Sequence, residues 1–435
     1  MTPPSRLISD PALTRKAFLA RAAAGMGAIS GAGLLAACGG SSGGGSGAST
    51  GSKGPIKIAS IFDSTGDLSI YGKQMTQMAQ YATKKINADG GVLGRQLQLQ
   101  TFDPKSRVDQ YSRYATQVAS DQDVQAVFGA ITSATREAIR PVLTRRKKLL
   151  MYPVIYEGGI CDTYTFWQGS DAIQQLKPLI DWGGENVGKK YYIVAADYLY
   201  GRVSTDWAKE LIKQAGGQTL GNDFIPLEVS AFRPITSKIQ AARPDVLVSL
   251  LVGAAHTSFF REFSSAGLKD KIQIVSPTFG LGNEEQVLSP KEGSGIVVAY
   301  AYFETLDTPQ NKQFVTDFKA AYPQKNLITD LSAQTWNAMH QWAAAVNDAG
   351  SLEVEAVIKS YEKGIPFDGP GGQVKTEPKT HGNIQDMHLA RVTKNRSYEV
   401  FKSTSAVPPN PTMPNNPEKC DLQAKPQQTQ LKPGT

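Results

Sequence analysis

The chain has 435 residues, of which 40% are hydrophobic and 9% aromatic, a composition typical of a globular protein with a sizeable core. Its formal net charge is +7, but the longest basic cluster, residues 145–148, lies between apolar segments and indicates a solvated helix end, so no nucleic acid partner is expected. The four histidines show no metal-ligand spacing, so neither a metal nor a cofactor is expected.

The N-terminal segment has the layout of an export signal. Basic residues precede a weakly apolar run over residues 22–37, which at about 16 residues is shorter than the roughly 20 that a membrane-spanning helix needs. The run ends in Leu-Ala-Ala before Cys38, which resembles the lipobox of bacterial lipoproteins, whose cysteine is acylated. We therefore predict a signal peptide over residues 1–37, lipidation of Cys38 and an extracytoplasmic protein anchored to the cell membrane. The Sec and twin-arginine export routes both stay open.

Both ends of the exported chain are predicted to lie outside the folded core. Residues 38–54 are nearly all Gly and Ser and predict a flexible tether, while residues 403–435 form a polar, Pro-rich tail. About 350 residues remain, enough for two domains of ordinary size. Apart from Cys38, the chain holds Cys161 and Cys420, and in an oxidising compartment these form either a disulfide or two free thiols.

From residue 56 onwards, short apolar runs alternate with amphipathic stretches. This alternation predicts an α/β protein whose parallel sheets are connected by right-handed crossovers. Ligands bind such sheets at the carboxyl ends of the strands, so the segments after the strands are the candidate binding segments. The predicted strands are 56–62, 97–102, 124–128, 149–151, 190–195, 245–251 and 272–275, and the predicted helices are 71–87, 108–120, 204–215, 232–242 and 257–266.

Three strand exits carry hydroxyl, aromatic or acidic side chains. After the strand that ends at residue 128, a glycine and two hydroxyl residues open a helix, whose first backbone N–H groups can bind an anion or a carbonyl oxygen. Tyrosine supplies a rigid wall and a phenolic donor and acceptor. Glu157 could bind an N–H group of a ligand or pair with Arg136. The candidate ligand-binding residues are Thr132, Ser133, Tyr152, Tyr156, Glu157, Asp197, Tyr198 and Tyr200.

Several of these motifs resemble those of the type I periplasmic binding proteins. Asn-Ala-Asp-Gly-Gly-Val-Leu-Gly-Arg at residues 87–95 is similar to the hallmark that follows the first helix in the branched-chain amino acid receptor family. The segments 126–136, 152–158, 197–202 and 301–309 look like the branch of that family that binds urea and short-chain amides. The resemblance runs from about residue 56 to about residue 401.

The resemblance implies two Rossmann-like α/β lobes with parallel sheets, joined by three crossovers that act as a hinge. Residues 55–172 and 304–365 would form lobe I, and residues 173–303 and 366–402 lobe II. It implies a monomeric solute receptor of an ABC importer that works with permease and ATPase subunits. Its ligand would be urea, an amide or an amino acid.

The resemblance also implies roles for six of the eight candidate residues. Ser133 would hydrogen-bond the ligand from lobe I, Tyr152 and Tyr156 would form the wall with Glu157 in support, and Tyr198 with Tyr200 would close from lobe II.

Two departures make the site less polar than a urea pocket should be. Residues 130–131 are Ala-Ile where relatives carry Cys-Trp or Cys-Tyr, and residues 253–256 are Gly-Ala-Ala-His where urea receptors have Gly-Asp-Ser-Asn. An amino acid ligand would need an acid for its ammonium group, and Asp197, Glu284 or Glu285 could serve. A ligand-sensing surface lipoprotein without a transporter is a further alternative. An enzyme is not expected, because no predicted strand ends in a Gly-x-Ser-x-Gly nucleophile elbow.

Overall fold

The computed structural model describes residues 54–434 except for residues 228, 230, 324 and 325. The predicted signal peptide, Cys38 and the tether up to residue 53 lie outside the described residues. None of the described helices is long and apolar enough to cross a membrane.

The described residues contain both strands and helices in an alternating order. The strands are β1 (Ile56–Ile61), β2 (Leu97–Phe102), β3 (Val124–Gly129), β4 (Leu149–Tyr152), β5 (Ile160–Asp162), β6 (Thr165–Trp167), β7 (Lys190–Ala196), β8 (Gln218–Ile225), β9 (Val246–Leu250), β10 (Gln273–Ser276), β11 (Val297–Tyr300), β12 (Phe367–Gly369), β13 (Gly372–Thr376), β14 (Asn383–Val392), β15 (Tyr398–Val407) and β16 (Gln428–Gln430). The helices are α1 (Ser69–Ala88), α2 (Val108–Ser120), α3 (Ser133–Arg145), α4 (Ala172–Asn186), α5 (Leu199–Gln214), α6 (Arg233–Ala242), α7 (Ala254–Ser265), α8 (Pro290–Gly293), α9 (Pro309–Ala321), α10 (Asp330–Ala349) and α11 (Val354–Tyr361).

The strands form two large sheets, each at the centre of one lobe. Lobe I is built on a parallel sheet in the order β2-β1-β3-β4-β6. Lobe II is built on a longer sheet in which β8, β7, β9, β10 and β11 are parallel. The chain passes between the lobes three times, after β6, after β11 and after α11. The predicted α/β fold with parallel sheets and three crossovers is therefore confirmed.

Lobe II also contains antiparallel strands that were not predicted. Strand β14 pairs antiparallel with β11, β13 and β15, and β12 pairs antiparallel with β13. These strands follow one another through short connections, whereas a parallel pair needs a crossover of a dozen or more residues. The antiparallel strands extend the parallel core of lobe II at one edge.

Helix α1 shows how the sequence sets an element that flanks the site. Its buried residues include Met75, Met78, Ala82 and Ile86, whose spacing of three to four residues places them on one face. The helix ends where the backbone N–H of Gly91 donates to the carbonyl oxygen of Ile86 at 2.8 Å. Gly91 has a φ of +76°, a conformation that glycine adopts without steric penalty.

The polar C-terminal tail is part of the folded structure, so the prediction that it lies outside the core was wrong. Met413, Cys420, Leu422 and Leu431 are buried in the apolar cluster that includes α4 and α5. Strand β16 pairs antiparallel with β5. Cys161 and Cys420 form a disulfide with a Cα–Cα distance of 5.5 Å. Its polar composition was misleading, because a few buried apolar residues and one disulfide attach the tail to the rest of the protein.

Candidate functional site

A small cavity lies between the two lobes, beside the carboxyl ends of β3 and β7. Its volume is about 40 Å³, which exceeds the ~10–15 Å³ required by one water molecule. Seven aliphatic side chains, three tyrosines and two threonines line it: Leu68, Tyr71, Ile131, Thr132, Val154, Ile155, Tyr198, Tyr200, Val252, Thr278, Leu281 and Leu331.

Ile131 and Thr132, the two residues that lead into α3, form part of the wall in lobe I, whereas Ser133 at the start of the helix does not line the cavity. Thr132 is the N-cap and forms a capping box with Thr135, which satisfies one free N–H group of the first turn. The Ser133 hydroxyl donates to Glu157 Oε2 at 2.9 Å. Its single hydrogen is therefore directed at the protein, and only its lone pairs are left for another partner.

A buried ion pair supports this wall from behind. Arg136 Nη2 donates to Glu157 Oε1 at 2.7 Å, and both side chains are at most 1% exposed. Of the two partners that the sequence left open for Glu157, the structure shows Arg136. The same guanidinium carbon lies 5.3 Å from the ring centroid of Tyr152 and 5.6 Å from that of Tyr156, within the range of cation–π attraction.

Tyr152 and Tyr156 lie one layer behind the cavity. Both are 1% exposed, and neither lines the cavity. The Tyr152 hydroxyl donates to the carbonyl oxygen of Ile131 at 3.3 Å, so it positions a residue that does line it. Burial raises the pKa of both phenols above their ordinary value, and each therefore stays neutral at physiological pH.

The strand exit of β7 contributes two of its three candidates. Tyr198 and Tyr200 line the cavity, and their rings stack with centroids 6.0 Å apart. Asp197 does not line it. Its carboxylate pairs with Arg202, one turn further along α5, at 2.6 Å, and this local ion pair holds it at the surface.

The two other candidate acids also lie outside the lining. Glu284 is buried behind Tyr71, whose hydroxyl donates to it at 3.3 Å. Glu285 accepts a hydrogen bond from Tyr398 at 3.0 Å, and burial raises its pKa to about 7. No cluster of three or more metal-ligating side chains occurs among the residues that the structure describes.

Comparison with known families identifies the chain. The sequence model described as a periplasmic binding protein domain matches residues 56–418. The chain belongs to the periplasmic binding protein family. The match covers both lobes and part of the C-terminal tail.

Curated relatives of this periplasmic binding protein carry amino acid receptor names. It is 22% identical over 355 residues to Leu/Ile/Val-binding protein homolog 6 of Brucella melitensis, covering 78% of this chain and 88% of the relative. It is 26% identical over 343 residues to the Leu/Ile/Val-binding protein BraC3 of Rhizobium johnstonii, covering 76% and 89%.

Solved structures show the same fold with different ligands. A solute-binding protein of an ABC transporter from Rhodopseudomonas palustris, in complex with 3,4-dihydroxybenzoic acid, superposes with a TM-score of 0.73 at 21% identity over 81% of this chain and 98% of that one. A leucine-binding protein from Thermotoga maritima gives 0.71 at 18% identity over 80% and 99%.

Sequence reasoning missed the aliphatic part of the wall and two of its polar groups. Tyr71 belongs to the first turns of α1, and Thr278 follows the exit of β10. The strand-exit rule that selected Thr132 and Tyr198 applies equally to Thr278. The aliphatic residues carry no such signal, because apolar side chains at strand ends are also typical of a core.

Asp330, next to the lining residue Leu331, makes the stability of this periplasmic binding protein depend on pH. Burial raises its pKa from 3.8 to about 7, and its Oδ2 has no hydrogen-bond partner among the described residues. Between about pH 4 and pH 7 the folded state therefore keeps the Asp330 proton, whereas the unfolded chain loses it. The free energy of unfolding consequently falls as the pH rises through this range.

We expect Asp330→Asn to be more stable than the wild type at pH 8, by roughly 2–4 kcal/mol, and to differ little at pH 4. Urea unfolding at the two pH values measures the difference. The exposed pair of Asp109 with Arg107 offers the matched control Asp109→Asn, which should not gain stability at pH 8. An equal effect of Asp330→Asn at both pH values would contradict the assignment.

Proposed function

We propose that this protein is the extracytoplasmic solute-binding subunit of an ABC importer, and that its ligand is a small solute with an aliphatic body and one carbonyl-type polar head, such as a short-chain amide or a branched-chain amino acid. The observation that carries the proposal is the lining of the cavity between the lobes. Aliphatic side chains from both lobes enclose a space that tyrosine and threonine hydroxyls reach at a few points.

The aliphatic lining favours a branched or extended ligand over urea. Each buried CH₂ group contributes about 0.8 kcal/mol to binding, whereas urea has none and consists of donors and an acceptor. A polar group that loses water without gaining a hydrogen bond lowers affinity. Within the urea and amide class, the lining therefore supports isobutyramide over urea.

The names of the relatives agree with a receptor for a small solute. Leu/Ile/Val-binding proteins cover most of the chain, and the solved neighbours named above include complexes or receptors for an aromatic acid and for leucine. Closure of the lobes would follow from contacts that the ligand makes with both. Permease and ATPase subunits would then be the partners, and the bound solute should be released unchanged rather than converted.

We also propose that the mature protein is a monomer held at the membrane by lipidated Cys38. The support is the Leu-Ala-Ala-Cys sequence and the following Gly/Ser segment. Mass spectrometry of the N-terminal peptide from the native host tests it. An unmodified Cys38 in membrane-associated protein would contradict it.

A calorimetric panel tests the ligand class. We expect isobutyramide or L-leucine to bind at least tenfold more tightly than urea, since two or more CH₂ equivalents separate them. Acetamide should lie between isobutyramide and urea, and benzoate tests whether an aromatic acid fits. Urea as the tightest ligand, or conversion of any amide, would contradict the proposal.

Two matched variants test whether the ligand binds in this cavity. Val252→Thr replaces a lining methyl group by a hydroxyl of similar size, so it should reduce the preference for isobutyramide over urea severalfold. Val187→Thr makes the same change at a residue that is 41% exposed and does not line the cavity. The preference should stay unchanged in this variant. Equal responses of the two variants would show that the ligand binds elsewhere.

A further inference from the structure

A chain of hydrogen bonds lies directly behind the cavity wall. Tyr71, from lobe I, donates its hydroxyl hydrogen to Glu284 Oε1 at 3.3 Å. His256 Nδ1 lies 3.2 Å from the same oxygen, and His256 Nε2 lies 3.3 Å from Thr278 Oγ1. Tyr71 and Thr278 line the cavity, while Glu284 and His256 are at most 3% exposed. The two lining hydroxyls are thus connected through a buried acid and a buried imidazole.

The hydrogen bonds of Glu284 fix the direction of this chain. The backbone N–H groups of Gly280 and Gly282 both donate to Oε2 at 2.9 Å. Oε1 accepts a hydrogen bond from the Tyr71 hydroxyl and lies within hydrogen-bond distance of His256 Nδ1. A carboxylate only accepts and has about four lone-pair sites, so every neighbour of Glu284 must donate to it. Its acceptor capacity is used, and it does not line the cavity.

The hydroxyl of Tyr71 can therefore only accept from a ligand. Its one hydrogen goes to Glu284, and one lone pair takes the backbone N–H of Gly253 at 2.6 Å. The second lone pair remains. Because Tyr71 lies in lobe I and both partners lie in lobe II, this oxygen is fixed only when the lobes meet.

The hydroxyl of Thr278, like that of Tyr71, is left to act as a hydrogen-bond acceptor. In the tautomer that carries its proton on Nδ1 and donates it to Glu284, the His256 ring presents Nε2 as an acceptor to the Thr278 hydroxyl, 3.3 Å away. The Ser249 carbonyl oxygen, 3.5 Å from Thr278 Oγ1, is a second acceptor on the protein, whereas Ser276 Oγ already takes the backbone N–H groups of Thr278 and Phe279. The hydrogen of Thr278 is thus directed away from the cavity, and its lone pairs are left for a ligand.

We propose that Tyr71 Oη and Thr278 Oγ1 form an acceptor-only subsite that selects ligands with an N–H donor on the polar head, with Glu284 and His256 as the residues that set its polarity. The proposal deepens the function proposed above and rests on it. Amides and amines satisfy this subsite, and ketones, esters or keto acids of the same shape leave its oxygens unpaired. An unpaired buried polar group is the strongest means by which a site rejects an analogue.

Isosteric ligand pairs test the polarity. Isobutyramide and 3-methyl-2-butanone differ only in NH₂ against CH₃, and L-leucine and 4-methyl-2-oxopentanoate differ in the ammonium group. We expect wild-type protein to bind the nitrogen member of its preferred pair at least tenfold more tightly. Binding of both members with equal affinity would overturn the subsite while leaving the solute-receptor function intact. Binding of neither pair would instead contradict the proposed function.

Glu284→Gln should invert the preference. The amide oxygen must stay at the Oε2 position to accept from Gly280 and Gly282, so the NH₂ group faces Tyr71 and His256. It then donates to Tyr71 Oη, which frees the Tyr71 hydroxyl hydrogen for a ligand carbonyl. We expect the tenfold preference for the nitrogen member to fall to unity or to reverse. An unchanged ratio in a folded variant would overturn the role of Glu284.

Two controls keep this test independent of folding. Glu285→Gln makes the same change at the adjacent buried acid, which contacts Tyr398 rather than Tyr71, and the ligand ratio should stay at the wild-type value. Tyr71→Phe should reduce the ratio at least severalfold. Tyr302→Phe is its matched control, because the buried Tyr302 hydroxyl has no hydrogen-bond partner among the described residues and lies outside the lining. A change in ratio as large in the controls as in Glu284→Gln and Tyr71→Phe would overturn the proposal.

Discussion

Replacing Arg136 with methionine is expected to lower the free energy of unfolding by about 3–5 kcal/mol, because it leaves the Glu157 carboxylate buried without its partner. Arg136 and Glu157 are 2.7 Å apart and almost fully buried, so water cannot replace the lost guanidinium. Urea unfolding followed by circular dichroism measures the change. The matched control is Arg107→Met, in an ion pair with Asp109 whose side chains are more than half exposed, for which we expect less than about 1 kcal/mol.

The double variant Arg136→Met/Glu157→Met separates the two origins of that loss. With both charges removed, the penalty of a buried unpaired carboxylate disappears, and much of the stability should return. In the double variant Ser133, next to the cavity wall, also loses its acceptor Glu157, so ligand affinity should be low there although the stability returns. A single variant as stable as wild type would show that Glu157 is hydrated or protonated at no cost.

Breaking the disulfide between Cys161 and Cys420 is expected to lower the free energy of unfolding by about 2–5 kcal/mol. The two residues are 259 positions apart in the sequence, so the bond removes a large loop-closure entropy from the unfolded chain. Cys161→Ala/Cys420→Ala, compared with wild type in urea, measures the effect.

Reduction supplies the internal control. Dithiothreitol should bring the wild type down to the stability of the double variant and should leave the double variant unchanged. A thiol assay on unreduced, unfolded protein should find neither cysteine free. Two titratable thiols, or equal urea midpoints for wild type and variant, would contradict the bond.

Sequence patterns predicted the elements with strong periodicity. The bounds of β2 and α2 agree with those predicted at 97–102 and 108–120, because each is a single amphipathic or apolar run between clear turn residues. Helix α5 begins at Leu199, earlier than the predicted residue 204, since its first turn carries the cavity-lining tyrosine Tyr200 rather than the regular apolar repeat. Strands β5, β6 and β16 have three residues each, too few to show alternation.

The site was predictable to the extent that its residues have distinctive chemistry. Strand exits placed Thr132, Tyr198 and Tyr200 at the cavity, where the structure has them. Asp197 lies outside the lining because a local partner, Arg202, is available on α5, the helix that follows it. The polarity of Tyr71 depends on Gly253 and Glu284, which are about 180 and 210 residues away in sequence, and a contact between such distant segments leaves no local pattern.

The pairing of β16 with β5 bears on how the molecule behaves when its C-terminus is lost. An unpaired strand edge is a template for the backbone of another chain, and here the edge of β5 is occupied by residues 428–430 of the same chain. The intramolecular strand excludes competitors because the disulfide at Cys420 keeps it nearby at high effective concentration. A protease that cuts the chain between residues 421 and 427 would remove β16 and expose this edge of β5 to the backbone of another chain. We therefore expect loss of β16 to increase self-association of the protein, in addition to its effect on stability.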